Sequence, residues 1–371
     1  MIKKKIFGKV VQFECTDTWK SELHESLELY SDVSDKLVDV RIQIVDEGVA
    51  EPSLSMNPKI FRKLQGGFAA EFRGAAISWR KDSESQLTVQ ACVKDPFRNA
   101  LVGLLKRLRS MEFPTRLEWF EQVLHELILV PTAHFFADLA IVHAAAIGNE
   151  SGCFLFTGTG GVGKSSALLS VAGKEGVGFL ADDVVVVDKK GLAYGNFSWP
   201  KIYGYNCTGT GLASRLLAPR GILDRAHFYI RNRVNPSTVR RKIRPDDLFS
   251  KCLSDGVPVK GVYFLFREPC QAISVSDSST EKAITSTIEI IKSEYDVFYK
   301  ILRWDRYNSI MLGVESALTI DGLERWWRAS LANVFEGEVK KIAVPYQVDH
   351  ADYLSFMEEF ILERITANRR A

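Results

Sequence analysis

One eight-residue stretch constrains this chain more than any other. Gly158-Thr-Gly-Gly-Val-Gly-Lys164-Ser165 fits the pattern G-x-x-x-x-G-K-[ST], and it stands between the apolar run Phe154-Leu-Phe and the helical run Ser166-Ala-Leu-Leu-Ser-Val-Ala. A strand that feeds a glycine-rich turn that feeds a helix belongs to an α/β core. The residue types explain the pattern. Gly158, Gly160, Gly161 and Gly163, with Thr159 and Val162 between them, let the backbone wrap closely and aim N–H groups at phosphate oxygens, and the helix that opens at Lys164, Ser165 and Ser166 adds its positive end. A nucleoside triphosphate is the expected guest, with Lys164 reaching its β and γ phosphates and the Ser165 hydroxyl on a magnesium ion.

The rest of the chain is read around that unit. At about 150 residues per domain, 371 residues suggest two or three folding units. Residues 1–130 read as a β-rich part: strand-like runs at 6–15, 38–45, 68–72, 75–79 and 87–93 are separated by breaks such as Glu51-Pro52-Ser53 and Lys81-Asp82-Ser83. Helical patterns follow at 96–109, with an apolar face of Phe97, Leu101, Leu104, Leu105 and Leu108, and at 115–130. A boundary is placed near Pro131. Beyond it come strands at 140–147, 153–157 and 178–188, an irregular stretch at 198–244, strands at 261–266 and 272–275, helices at 281–304, 322–335 and 352–365, and a strand at 339–344. The fold expected is an α/β domain, residues 131–371, preceded by a smaller β-rich α+β domain, residues 1–130.

Charge and composition narrow the function classes. Lys and Arg total 48 against 46 Asp and Glu, a net of +2, so no global field would draw the chain to nucleic acid or an anionic membrane. The six cysteines form no CxxC pair and read as reduced thiols of a cytoplasmic protein. The N-terminus lacks an apolar signal core, and the most apolar long stretch, 123–147, is interrupted by His125, Glu126, His134, Asp138 and His143, so neither secretion nor a bilayer span is expected.

A second constellation lies 24 and 25 positions after Gly158, where the next strand delivers Leu180-Ala-Asp182-Asp183. On a regular strand neighbouring side chains point to opposite faces, so the two carboxylates take different roles unless the backbone bends. One, Asp182, can approach the magnesium shell; the other, Asp183, can accept a proton from an attacking hydroxyl.

His143, then Gly158-x-x-Gly161-x-Gly163-Lys164-Ser165, then Leu-Ala-Asp182-Asp183 resembles the core of HPr kinase/phosphorylase, in the phosphoenolpyruvate carboxykinase-like P-loop superfamily, over roughly residues 138–190. The resemblance implies a P-loop kinase domain using ATP and Mg²⁺, with His143 near the active site, Lys164 and Ser165 on nucleotide and metal, and Asp183 as proton acceptor from a serine hydroxyl. More loosely, Arg240-Arg-Lys-Ile-Arg-Pro-Asp-Asp-Leu-Phe249 resembles a segment of the HPr-kinase-like enzymes of lasso-peptide and other biosynthetic clusters. The chain departs from HPr kinase in having no acid between Asp188 and Asp224, where that family supplies a metal-binding glutamate; the stretch reads Ser198-Trp-Pro-Lys201-Ile-Tyr-Gly-Tyr-Asn206-Cys-Thr208 instead. Metal ligation then rests on Ser165, Asp182 and water, and the expected acceptor is a hydroxyl-bearing peptide, protein or small molecule rather than the phosphocarrier protein.

Between Arg215 and Arg244 lie nine basic residues against Asp224 alone. Arg240 and Arg241 are the candidates to neutralise the transferring phosphoryl group or to hold an acidic substrate; a solvated or internally paired surface is the competing reading. Nucleic-acid binding ranks last, since regular aromatic interleaving is absent. The N-terminal part is assigned to substrate recognition or assembly, a homo-oligomer included. Two other functions stay open: a nucleotide-dependent switch ATPase, and a nucleotide-binding module without catalysis. A GTPase is disfavoured by the absence of an N-K-x-D tetrad.

Overall fold

The computed structural model describes residues 1–34, 37–48, 52–82, 86–207 and 211–370, so Glu51, Ser83 and Thr208 of the stretches quoted above lie outside the described residues. The chain is mixed α/β, with two large sheets.

The first sheet is built by β1 (Ile2–Ile6), β2 (Lys9–Cys15), β3 (Val40–Val45), β4 (Ser55–Asn57), β5 (Phe61–Leu64), β6 (Gly67–Glu71), β7 (Ala75–Lys81) and β8 (Leu87–Val93), in the order β1-β2-β3-β8-β7-β6-β5-β4. Its strands follow the period of two. In β3 Val40, Ile42 and Ile44 face inward, and in β8 Leu87, Val89, Ala91 and Val93 do. The run 6–15, which reads as one strand in the sequence, is a hairpin instead: Phe7 and Gly8 both take positive φ (52° and 76°) and reverse the chain. A short helix α1 (Lys20–Ser26) lies between β2 and β3.

Helix α2 (Ala100–Arg109) carries little of its apolar face into the core: Leu101, Leu105 and Leu108 are exposed. Helix α3 (Arg116–Gln122), opened by a Thr115/Glu118 capping box, continues through a π-helical turn (Val123–Leu129) into α4 (Val130–Ala133). Pro131 therefore sits inside a continuous helical run, which packs on β7 and β8; Trp79 of β7 donates its indole N–H to Thr132 at 3.1 Å.

The second sheet has nine strands: β9 (Leu139–Val142), β10 (Ala144–Asn149), β11 (Gly152–Thr157), β12 (Gly178–Ala181), β13 (Val185–Asp188), β14 (Leu192–Tyr194), β17 (Val257–Glu268), β18 (Ser274–Asp277) and β19 (Glu338–Pro345); β15 (Lys201–Tyr203) and β16 (Arg240–Lys242) form a separate pair. Strand β11 is buried at every position, as a central strand covered on both faces must be, and runs parallel to β17, which runs parallel to β19. Helices complete the chain: α5 (Lys164–Ser170), α6 (Leu212–Leu217), α7 (Ile222–Val234), α8 (Pro245–Leu248), α9 (Thr280–Glu294), α10 (Asp296–Leu312), α11 (Ile320–Val334) and α12 (His350–Arg370).

Three departures from the sequence reading shape the site. The strand expected at 140–147 breaks at His143, and the one expected at 178–188 breaks at Asp182–Val184. The helix expected at 281–304 is two helices, broken at Tyr295. The irregular stretch 198–244 is largely ordered as β15, a 3₁₀ turn, α6, α7 and β16. The two halves are tied by a buried ion pair, Lys63 of β5 to Asp305 of α10 at 2.8 Å.

Candidate functional site

The phosphate loop leaves the C-terminal end of β11 and enters α5 at Lys164. Two glycines fix its path. Gly158, at φ 147°, leaves no room for a Cβ, which would stand 2.6 Å from the Leu265 carbonyl oxygen of β17; Gly163, at φ 116°, would bring one within 2.7 Å of the Tyr353 hydroxyl. That hydroxyl donates to the Gly163 carbonyl at 3.0 Å and so pins the loop to α12. Val162 turns into the core, whereas Thr159, Gly160 and Gly161 are exposed. The Lys164 ammonium donates to the Gly158 and Thr159 carbonyls at 2.8 and 2.9 Å, and its burial lowers its pKa from the ordinary lysine value.

The breaks in the neighbouring strands bring the other groups to the same mouth. His143, at the break between β9 and β10, lies with Nδ1 3.4 Å from an Asp183 carboxylate oxygen and Nε2 3.8 Å from Glu294 at the end of α9. Burial lowers the His143 pKa below its usual value against the pull of Asp183, which keeps the ring neutral at pH 7. The bend at 182–183 interrupts strand alternation, so both aspartates face the same cleft, in different surroundings. Asp182 is buried, and burial together with the Asp183 charge pushes its pKa up to about 6. Asp183 is half-exposed; its desolvation is outweighed by Lys201, His143, Lys164 and Arg240, which hold it below the usual carboxylate range. Ser165 hydrogen-bonds Asp182, and the Ser166 hydroxyl accepts from Asn206 Nδ2 at 3.0 Å.

These groups line one cleft of 1150 Å³, together with Lys201, Arg240 and a wall made by the stacked rings of Tyr203 and Tyr205. Lys201 pairs with Glu126 of the π-helical turn; Arg240 pairs with Glu112 and donates to the Tyr203 hydroxyl at 2.6 Å. Arg241 does not join them. Alternation along β16 sends it to the opposite face, where it is fully buried and pairs with Asp224 at 2.6 Å, with His227 Nδ1 2.9 Å away. The expected pair of site arginines is thus reduced to Arg240.

Sequence reasoning missed Glu294. It looked for an acid in the stretch after the aspartates, but the carboxylate arrives from the end of a helix more than a hundred positions later, where it accepts the Gly160 N–H at 3.2 Å. Nothing in the sequence marks the position, since the apolar spacing Ile284, Ile288, Ile291, Tyr295, Phe298, Leu302 runs through it as one helix. Lys201 and the tyrosine wall were likewise hidden in a stretch without periodicity.

The donor set fits a hard divalent cation. Asp182 Oδ1 is buried without a hydrogen-bond partner, an acceptor left for a ligand, and the Ser165 hydroxyl stands beside it. Among the described residues no cluster of three or more His, Cys, Asp or Glu has metal-site geometry, so an ion held by Ser165 and Asp182 would need further ligands from outside the chain. No protein-family model and no curated protein matches this chain. No helix among the described residues is long and apolar enough to cross a membrane.

Proposed function

We propose that this chain is an ATP- and Mg²⁺-dependent phosphotransferase of the cytoplasm that phosphorylates a hydroxyl, serine first among the candidates, on a peptide, protein or small molecule, and that residues 131–371 form a phosphoenolpyruvate carboxykinase-like P-loop kinase domain. The observation that carries the reading is the convergence of Lys164, Asp182, Asp183 and His143 at the mouth of a glycine loop, all in one cleft. In this reading Lys164 exchanges its two loop carbonyls for β and γ phosphate oxygens. Ser165 and Asp182 would hold Mg²⁺, which when bound offsets the phosphate charge. Asp183, ionised at neutral pH, takes the hydroxyl proton as the acceptor oxygen bonds to the γ phosphorus and the bond to ADP breaks. His143 fixes the Asp183 carboxylate, and Arg240 and Lys201 supply the cations on the acceptor side.

Two measurements test it. Calorimetry with ATP and Mg²⁺ is expected to show binding that Lys164→Ala weakens about tenfold or more. With labelled ATP and an acceptor found among peptide, lysate and metabolite fractions, Asp183→Asn is expected to keep nucleotide and slow transfer by at least about a hundredfold. No affinity in the wild type removes the P-loop assignment; hydrolysis without any acceptor leaves a switch ATPase.

A further inference from the structure

Helices α2 and α7 leave an apolar surface without a partner. Leu101 and Leu105 of α2 are 68% and 49% exposed, and Ile222, Leu223 and Ile230 of α7 are 86%, 63% and 66% exposed. The two helices meet where Arg231 and His227 donate to or approach the Leu108 carbonyl. Between them lies a groove of 640 Å³ whose apolar floor includes Leu104, Phe113, Ile222 and Leu223.

Its charges are unbalanced. Glu118 and Asp224 are occupied by Arg220, and Glu25 by Arg244. Among the described residues Arg107 and Arg215 at the rim have no ion pair: Arg107 donates to the Pro114 carbonyl and stacks on the Phe97 ring at 4.3 Å, Arg215 donates to the Asp247 carbonyl, and Arg225 beside them donates to the Arg220 and Ala218 carbonyls. The Asp247 carboxylate is the one rim acid without an ion pair among the described residues. In a chain of net charge +2 this is a local excess of cations around the exposed Ile222 and Leu223. The groove is next to the cleft of the candidate site: Trp199 lines both.

We propose that this groove docks an acidic, leucine-bearing peptide segment of the phosphoryl acceptor, whose hydroxyl residue continues past Trp199 to Asp183. The acceptor part rests on the kinase reading above. The apolar floor takes the leucines, and the rim guanidiniums take the carboxylates. A concave groove that shares the Trp199 wall with the cleft suits an extended chain, whereas a bilayer needs a broad open face.

The test is fluorescence anisotropy on the full chain, without nucleotide, using a labelled synthetic peptide of alternating glutamate and leucine with one serine. Polyglutamate and phosphatidylserine vesicles are run beside it, with sedimentation of the protein alone. Binding is expected to weaken with salt and to fall about tenfold or more in Leu223→Glu and in Arg215→Glu, both exposed side chains away from the P-loop. Unchanged circular dichroism and ATP affinity in the two variants show that their fold is kept. Equal peptide binding by wild type and both variants overturns the proposal. So does equal binding of polyglutamate, binding of vesicles but not peptide, or a self-associated species that Leu223→Glu disperses. Peptide binding with these sensitivities in a protein that binds no ATP keeps the docking groove and removes the kinase reading.

Discussion

Glu294 shows what a single carboxylate does at a phosphate loop. It accepts the Gly160 N–H that phosphate oxygens would also need, and its charge stands near Lys164 and His143. On the proposed kinase reading, nucleotide binding would require the exchange of one anion for another at that N–H. Glu294→Gln is expected to tighten ATP by roughly fivefold, about 1 kcal/mol, because a neutral amide competes less well for the loop. Calorimetry with Mg²⁺ checks this, and weaker binding would place Glu294 in the metal shell instead. The glycine loop between β11 and α5 was legible in the sequence because its signature is local, with every residue inside nine positions. Glu294 was not, because the helical spacing of residues 281–304 runs unbroken past it and nothing there distinguishes it from a solvated glutamate.

At the scale of elements, strand alternation separates two neighbouring arginines that the sequence offered as a pair. Arg240 faces the cleft and Arg241 the interior, between Asp224 and His227. Arg241→Ala would leave the Asp224 carboxylate buried without its 2.6 Å partner, and is expected to destabilise the fold by roughly 3 to 5 kcal/mol in urea unfolding while leaving turnover of the folded fraction unchanged. Arg240→Ala is expected to do the reverse, slowing transfer by about a hundredfold at a smaller cost in stability, since its partner Glu112 is less buried than Asp224. Equal effects of the two on turnover would sink the assignment. The three-residue strand β16 was not legible, since it is too short for periodicity and its partner β15 lies some forty positions earlier. The helix α7 escaped for a related reason: its outer face is apolar, so the polar-out pattern that marks a surface helix is missing. By contrast β3 and β8, half-buried and strictly alternating, were read almost to the residue.

For the whole molecule, one of the contacts that join the β-rich half to the cleft is a fully buried ion pair. Glu121 of α3 is fully buried; it accepts the Trp199 backbone N–H at 2.8 Å, stands 3.2 Å from the Lys242 ammonium of β16 and 3.2 Å from His125 Nδ1. Burial alone would raise its pKa, but Lys242 and these hydrogen-bond partners outweigh it and hold the carboxyl down to about 2. A depressed folded-state value contributes stability that is fully present above the ordinary value of 4.5 and is lost as the pH falls toward 2. Glu121→Gln has the shape of the protonated acid and leaves Lys242 without its counter-charge, so it is expected to cost roughly 3 kcal/mol at pH 7. Because the wild type becomes its own mutant in acid, the gap between the two unfolding curves should close between about pH 4 and pH 2. A gap that stays constant across that range would mean that packing, not charge, holds Glu121 in place. Trp199 adds a second readout: it hangs on the same carboxylate and lines both the groove and the cleft, so its fluorescence should shift over the same pH window in the wild type and stay flat in Glu121→Gln.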